Sequence, residues 1–313
     1  MDIPVYIITG FLESGKTTFI NETIFDPEFS QGERTLLLCC EEGEVEYNEE
    51  FLKSKKVSLV TIEDEEELTE DFLKKINAKY KPQRVMIEYN GMWDFSVLFD
   101  LPVPKGWITA QIITTVDATT FNVYVNNMRS IMSNQMSDSD LIIFNRCDAD
   151  TDRLMFRRNV KLLNRRAQII YEDKQGNIMD EMKEVLPFDI NADVIDIVDD
   201  DYGIWYLDAS ENPRKYEGKT VKIKGMVYQP PGINGTQFVA GRYAMTCCAD
   251  DMAFVGFICE YEFANKLEQK SWVQVTARIK NEYHPGYQSE GPILYVEEVA
   301  KAQQPEEPIV YFN

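Results

Sequence analysis

Short apolar runs alternate with longer, polar, helix-compatible stretches through the first 186 residues. The runs fall at 5–8, 35–40, 57–62, 84–87, 111–116, 141–144 and 167–171. Several are continuous rather than alternating, as in Leu141-Ile142-Ile143-Phe144. A strand without a polar face has no solvent side, so this pattern predicts a parallel sheet covered by helices on both faces. Residues 187–203 end in Asp199-Asp200-Asp201 and then Tyr202, and they read as an acidic linker. The rhythm then changes. Apolar runs at 220–228, 237–246, 254–261, 272–280 and 293–299 follow one another without long helical stretches, divided by Pro230-Pro231-Gly232 and Asn234-Gly235. Five such strands predict a small OB-like β-barrel over 204–313. The fold class expected is α/β, with domains at 1–186 and 204–313.

Composition supports two cores. At 313 residues, with 44% hydrophobic and 12% aromatic side chains, the chain is sized for about two domains of roughly 150 residues. Its formal net charge is −21, and 21 basic against 39 acidic residues precede Ile204. An acidic body repels phosphate backbones and anionic lipid, which weighs against nucleic acid and a membrane surface. No apolar run reaches spanning length. The start, Asp2-Ile3-Pro4-Val5, lacks the basic region of a signal peptide. Six cysteines, with adjacent pairs at Cys39-Cys40 and Cys247-Cys248, do not make a secreted disulfide framework. A cytoplasmic protein with reduced thiols is expected.

Gly10-Phe11-Leu12-Glu13-Ser14-Gly15-Lys16-Thr17 fits G-x4-G-K-[ST]. It follows a predicted strand and precedes Thr18-Phe19-Ile20, a helix-compatible start, which is the context a phosphate cradle needs. Gly10 and Gly15 allow the tight turn, Lys16 offers a point charge to the β and γ oxygens, and the Thr17 hydroxyl suits Mg²⁺. Glu88 ends the run at 84–87, where an acid can hold a magnesium water, and Gly91 can offer its N–H to a γ-phosphate. Asn145-Arg146-Cys147-Asp148 fits N-K-x-D with Arg for Lys. An aspartate there accepts two hydrogen bonds from guanine that adenine cannot supply, which favours GTP over ATP. The site expected is therefore Gly10, Glu13, Ser14, Gly15, Lys16, Thr17, Thr18, Gly91, Asn145, Arg146 and Asp148 for nucleotide, with Lys16, Thr17 and Glu88 catalytic and Thr17 and Glu88 on Mg²⁺.

Over roughly residues 1–170 these motifs resemble those of the CobW-like metallochaperone GTPases. Thr9 to Thr18 resembles the family's TGFLGSGKTT, Glu41-Glu42-Gly43-Glu44 its NEFGE, Ile87 to Gly91 its IETTG, and Val116-Asp117-Ala118 with Asn145 to Asp148 complete the order. The resemblance implies a P-loop parallel sheet, GTP hydrolysis at a low intrinsic rate, and metal handling. One departure is large. The family's C-x-C-C metal motif is replaced after residue 62 by Glu63-Asp64-Glu65-Glu66-Glu67, and carboxylates alone do not make a soft-metal site. The C-terminal part resembles, through Tyr216 to Lys219, Gly241 to Asp250 and Pro308 to Tyr311, the C-terminal domain of an uncharacterised bacterial family encoded beside predicted permeases.

Two readings of Cys247-Cys248 stand side by side: packing, or a zinc site completed by Asp250, Asp251, Cys259 or His284. Cys39 and Cys40 read as small hydrophobes ending a buried strand. The partners expected are GTP, a metal-receiving or permease protein, and a second copy of the chain as a homodimer; nucleic acid and membrane insertion are not expected. The function expected is a GTPase whose cycle controls metal handling or a permease, against a nucleotide-gated adaptor with no transition metal.

Overall fold

The computed structural model describes residues 2–41, 43, 46–180, 185–232, 235–248 and 251–311. Two compact units emerge: 1–153 with 166–181, and 154–165 with 182–313.

Seven parallel strands build the first unit: β1 (Ile3–Thr9), β2 (Thr35–Cys39), β3 (Val57–Thr61), β4 (Arg84–Glu88), β5 (Trp107–Asp117), β6 (Leu141–Cys147) and β7 (Gln168–Asp173). They lie in the order β3-β2-β4-β1-β5-β6-β7, as expected of a parallel sheet whose connections are helices. Every residue of β2 and β4 is buried, which is the physical reason that their runs do not alternate. Two clusters of buried side chains cover this sheet, one including Leu36, Leu38 and Val85, the other Ile8, Leu37 and Met86, as successive side chains of a strand point to opposite faces. The order brings the C-terminal tips of β1, β4, β5 and β6 to one edge.

The second unit is built differently. Its strands are β8 (Val194–Asp196), β9 (Thr220–Tyr228), β10 (Gln237–Cys248), β11 (Asp251–Glu260), β12 (Trp272–His284), β13 (Ser289–Lys301) and β14 (Ile309–Val310). Pairings β9·β10, β10·β11, β11·β13, β13·β12 and β12·β9 close a five-stranded barrel, with β11·β13 its parallel pair. β9 alternates strictly between buried and half-buried positions, the mark of a strand with one face on a core.

The stretch at 187–203 differs from the expected linker. β8 adds to β9 as a parallel edge strand, and Ile195 and Ile197 are buried in the barrel's cluster. A helix at Tyr202–Glu211, absent from the expected strand sequence, packs Trp205 against Phe257 at 5.3 Å between ring centroids. The helix Arg153–Leu163 also packs here, with Leu162 on this cluster and Arg157 paired to Glu211.

Arg242 ties this acidic stretch to the barrel. Its guanidinium, 1% exposed, donates to the Lys224 carbonyl at 2.9 and 3.0 Å, to the Asp199 carbonyl at 3.0 Å and to Asp199 Oδ1 at 2.5 Å, beneath the Tyr202 ring. Burial raises the Asp199 carboxyl, but hydrogen bonds from Lys224 and Arg242 outweigh it and hold the group below its usual range. Arg242→Ala should strand these acceptors and cost roughly 3 kcal/mol. Hydrogen exchange would read this as lost protection in β9 and β10, with β1 and β4 unaffected. Equal protection in variant and wild type would rule the network out as a support.

Candidate functional site

The loop after β1 is shaped by left-handed backbone. Gly10, Gly15 and Glu13 have φ of 140°, 101° and 61°, and the two glycines suit angles that a side chain penalises. A Cβ on Gly10 would stand 2.3 Å from the Thr115 carbonyl oxygen, and one on Gly15 would stand 2.6 Å from Asn145 Nδ2. The Ser14 hydroxyl, buried, meets Thr115 Oγ1 at 2.8 Å and fixes the loop to β5. The helix Lys16–Phe25 starts directly from this loop, so its first N–H groups border the cleft.

Lys16 is 3% exposed. Its ammonium donates to the carbonyls of Gly10 and Phe11, both at 2.8 Å, and pairs with the Glu41 carboxylate. Thr17 donates its hydroxyl proton to Glu88 Oε1 at 2.6 Å, and Tyr47 donates to Glu88 Oε2 at 2.5 Å. Thus the tip of β4 and the start of the helix are joined by one buried carboxylate. A cleft of about 250 Å³ lies over them, bordered by Glu13, Thr18, Glu41, Glu88 and Arg146 among others. Two hard oxygen donors, Thr17 and Glu88, meet at its wall without an ammonium between them. That donor set fits magnesium.

Gly91, expected to offer its N–H to a γ-phosphate, is also required to be glycine by its surroundings. A Cβ there would stand 2.1 Å from the Gly10 carbonyl oxygen, and its own carbonyl accepts from buried Gln135 Nε2 at 2.7 Å. In this structure it is a close-approach glycine behind the loop.

The residues after Phe144 brace the loop from the other side. Asn145 Nδ2 donates to the Ser14 carbonyl at 2.6 Å, while its Oδ1 is buried and unpartnered. Arg146, at φ 56°, donates to the Glu13 carbonyl at 3.0 Å and pairs with Asp117. Burial raises the Asp117 carboxyl, yet bonds from Thr119 and Arg146 bring it below its ordinary value. Asp148 accepts from the Thr151 hydroxyl at 2.9 Å and the Asp150 amide at 3.2 Å, which lower its pKa. Its side chain is half exposed and does not border the cleft.

Tyr47, Thr115 and Gln135 were not among the expected residues. Each lies outside a motif, unlike Asp117, which the sequence offers within Val116-Asp117-Ala118.

The model of the CobW/HypB/UreG nucleotide-binding domain matches residues 4–171, and that of the DUF1980 C-terminal domain matches 172–312. No curated protein matches the sequence at a significant level. Among solved structures, the hydrogenase maturation factor HypB from Archaeoglobus fulgidus is 18% identical over 56% of this chain and 82% of its own, with a TM-score of 0.38. The Zn(II)-bound YjiA GTPase from E. coli is 15% identical over 73% of this chain and 74% of its own, at 0.43. A Zn(II)-bound triple mutant of YjiA is 16% identical over the same shares, at 0.44.

For the zinc reading, Cys247 and Cys248 end β10, but their side chains lie outside the described residues, as do Asp250 and the Asp251 side chain. Two further candidates are committed elsewhere. His284 Nδ1 accepts from the Gly286 amide at 3.0 Å, and its Nε2 lies 3.2 Å from Gln237 Nε2. Cys259 is fully buried in the barrel cluster, where its thiol faces the Phe257 carbonyl. No cluster of three His, Cys, Asp or Glu side chains is arranged for a metal among the described residues.

Burial pushes the Cys259 thiol up to about 12. The raised value keeps it protonated through the neutral range, with a thiolate fraction on the order of one in ten thousand at pH 8. Iodoacetamide at that pH should leave Cys259 unmodified in the native chain and modify it after unfolding in urea, as read by peptide mass spectrometry. Modification at similar rates in both states would contradict its place in the core.

Proposed function

Since this chain belongs to the CobW/HypB/UreG family through its nucleotide-binding domain, we propose that it binds GTP with Mg²⁺ and hydrolyses it at a low intrinsic rate. The cycle would govern metal handling or a permease-linked partner through the DUF1980 C-terminal domain, which occupies the rest of the chain. The observation that carries this reading is the joining of Lys16, Thr17 and Glu88 at one cleft directly behind a glycine loop.

Lys16 exchanges Glu41 for a phosphate oxygen, and the loop amides around Gly15 line up the remaining oxygens. Thr17 and Glu88 would hold magnesium, which would supply charge neutralisation for the phosphates. Arg146 keeps the loop in shape by gripping the Glu13 carbonyl while bonded to Asp117. The Asp148 carboxylate, kept ionised by Thr151, receives the two donors of a guanine edge.

A second reading, a nucleotide-gated adaptor with no transition metal, has its own support. Where the family's thiolates are expected, Glu67 accepts from the amides of Glu63 and Asp64, and Glu65 accepts from Tyr89. These acids close a turn and hold a tyrosine. Metal analysis of untagged protein, together with GTP turnover across a panel of divalent ions, separates the readings.

Lys16→Ala should weaken GTP binding by roughly thirtyfold, about 2 kcal/mol for a charge-assisted contact, in a chain that still folds. Calorimetry showing wild-type affinity would remove Lys16 from the site. In competition assays GTP should displace a bound guanine nucleotide where ATP does not. Asp148→Asn should shift preference toward xanthosine triphosphate, whose 2-oxo group pairs with an amide. Equal competition by ATP and GTP in the wild type would refute the assignment of Asp148 to the base.

A further inference from the structure

Glu88 is 2% exposed, and two hydroxyl donors converge on its carboxylate. Thr17 takes Oε1 and Tyr47, at 2.5 Å, takes Oε2; the Cys39 thiol, 3.0 Å from the Glu41 carbonyl, lies 3.5 Å from Oε2. Lys16 is engaged by Glu41 instead, so a phenol and a hydroxyl fix this buried acid. The last torsion of a glutamate is broad, and a carboxylate bonded through one oxygen alone can swing about it. A second short bond, to an ionised acceptor, removes that freedom. Tyr47 is well suited to supply it, because its ring packs against the cluster formed by Ile8, Ile20, Leu37 and Leu52. The ring is anchored by the core and only the hydroxyl reaches the site.

We propose that Tyr47 is a positioning residue for Glu88: its phenol holds one carboxylate oxygen so that the other, bonded to Thr17, is presented to the divalent cation of a bound nucleotide. The inference rests on the proposed function for the nucleotide and cation. Glu41 reaches Lys16 as Tyr47 reaches Glu88.

The test is the affinity of the full chain for a fluorescent GTP analogue, measured in excess Mg²⁺ and in excess EDTA. Tyr47→Phe removes one oxygen and keeps the packed ring. Its affinity in EDTA should stay within about twofold of wild type, while the gain in affinity supplied by Mg²⁺ shrinks about tenfold, the scale of one strong hydrogen bond. The Mg²⁺ midpoint at fixed analogue should rise with it. An unchanged Mg²⁺ gain overturns the proposal. An equal loss in EDTA and in Mg²⁺ also overturns it, since a packing defect lowers both. Lys16→Ala, run alongside, keeps the two readings apart. If that variant binds like wild type, the nucleotide site itself is misread and Tyr47 falls with it. If it loses binding while Tyr47→Phe keeps its full Mg²⁺ gain, only the role of Tyr47 fails.

Discussion

The backbones at Gly10 and Gly91 run too close together for a side chain between them, and the whole nucleotide edge is organised around that approach. A Cβ at Gly91 would lie well inside the contact radius of the Gly10 carbonyl oxygen. Because neither residue has one, the loop after β1 can lie against the turn after β4 while Gln135 secures the far side. The same Gly10 carbonyl accepts from Lys16. One peptide group therefore sets the spacing between loop and turn and the height of the ammonium. With that spacing in place, Thr17 and Glu88 meet at 2.6 Å.

The two units solve burial in different ways, and the sequence carries both solutions. In the first, central strands covered on both faces are buried at every position, and their apolar runs do not alternate. In the barrel, strands with one face inward alternate. These periodicities depend on burial geometry alone, which is why all seven strands of the first sheet and the five of the barrel were legible as runs. Lys16, Thr17 and Glu88 were legible for another reason: a phosphate loop and a strand-tip acid are local chain features, and the parallel order of strands brings them to one edge.

What escaped was set by contacts between distant residues. β8 is three residues long and flanked by acids, too short for any period, and it exists because β9 offers an edge. The helix Tyr202–Glu211 shows no amphipathic stripe because most of its residues are buried, Trp205 and Ala209 completely. Asp199 looked like part of a solvated run, yet its place is decided by Arg242, 43 positions later. Tyr47 belongs to no motif of its own, and its contact with Glu88 spans 41 positions. Such pairings leave no trace in spacing along the chain.

The ion pair of Lys16 with Glu41 changes the electrostatic character of ligand entry. A bare lysine in a cradle would attract any anion from solution. Here the ammonium already has its counterion within the chain, in a body whose overall charge is −21. Under the proposed function, a nucleotide arrives against the field of the protein and trades places with a carboxylate, so binding is an exchange of one anion for another. Such an exchange leaves the local charge nearly balanced at both ends, and its driving force comes from the extra oxygens and amides a phosphate engages rather than from net attraction. Inorganic anions with a single charge gain little from that trade. On that reading the site would discriminate by the number of bonds a ligand can make.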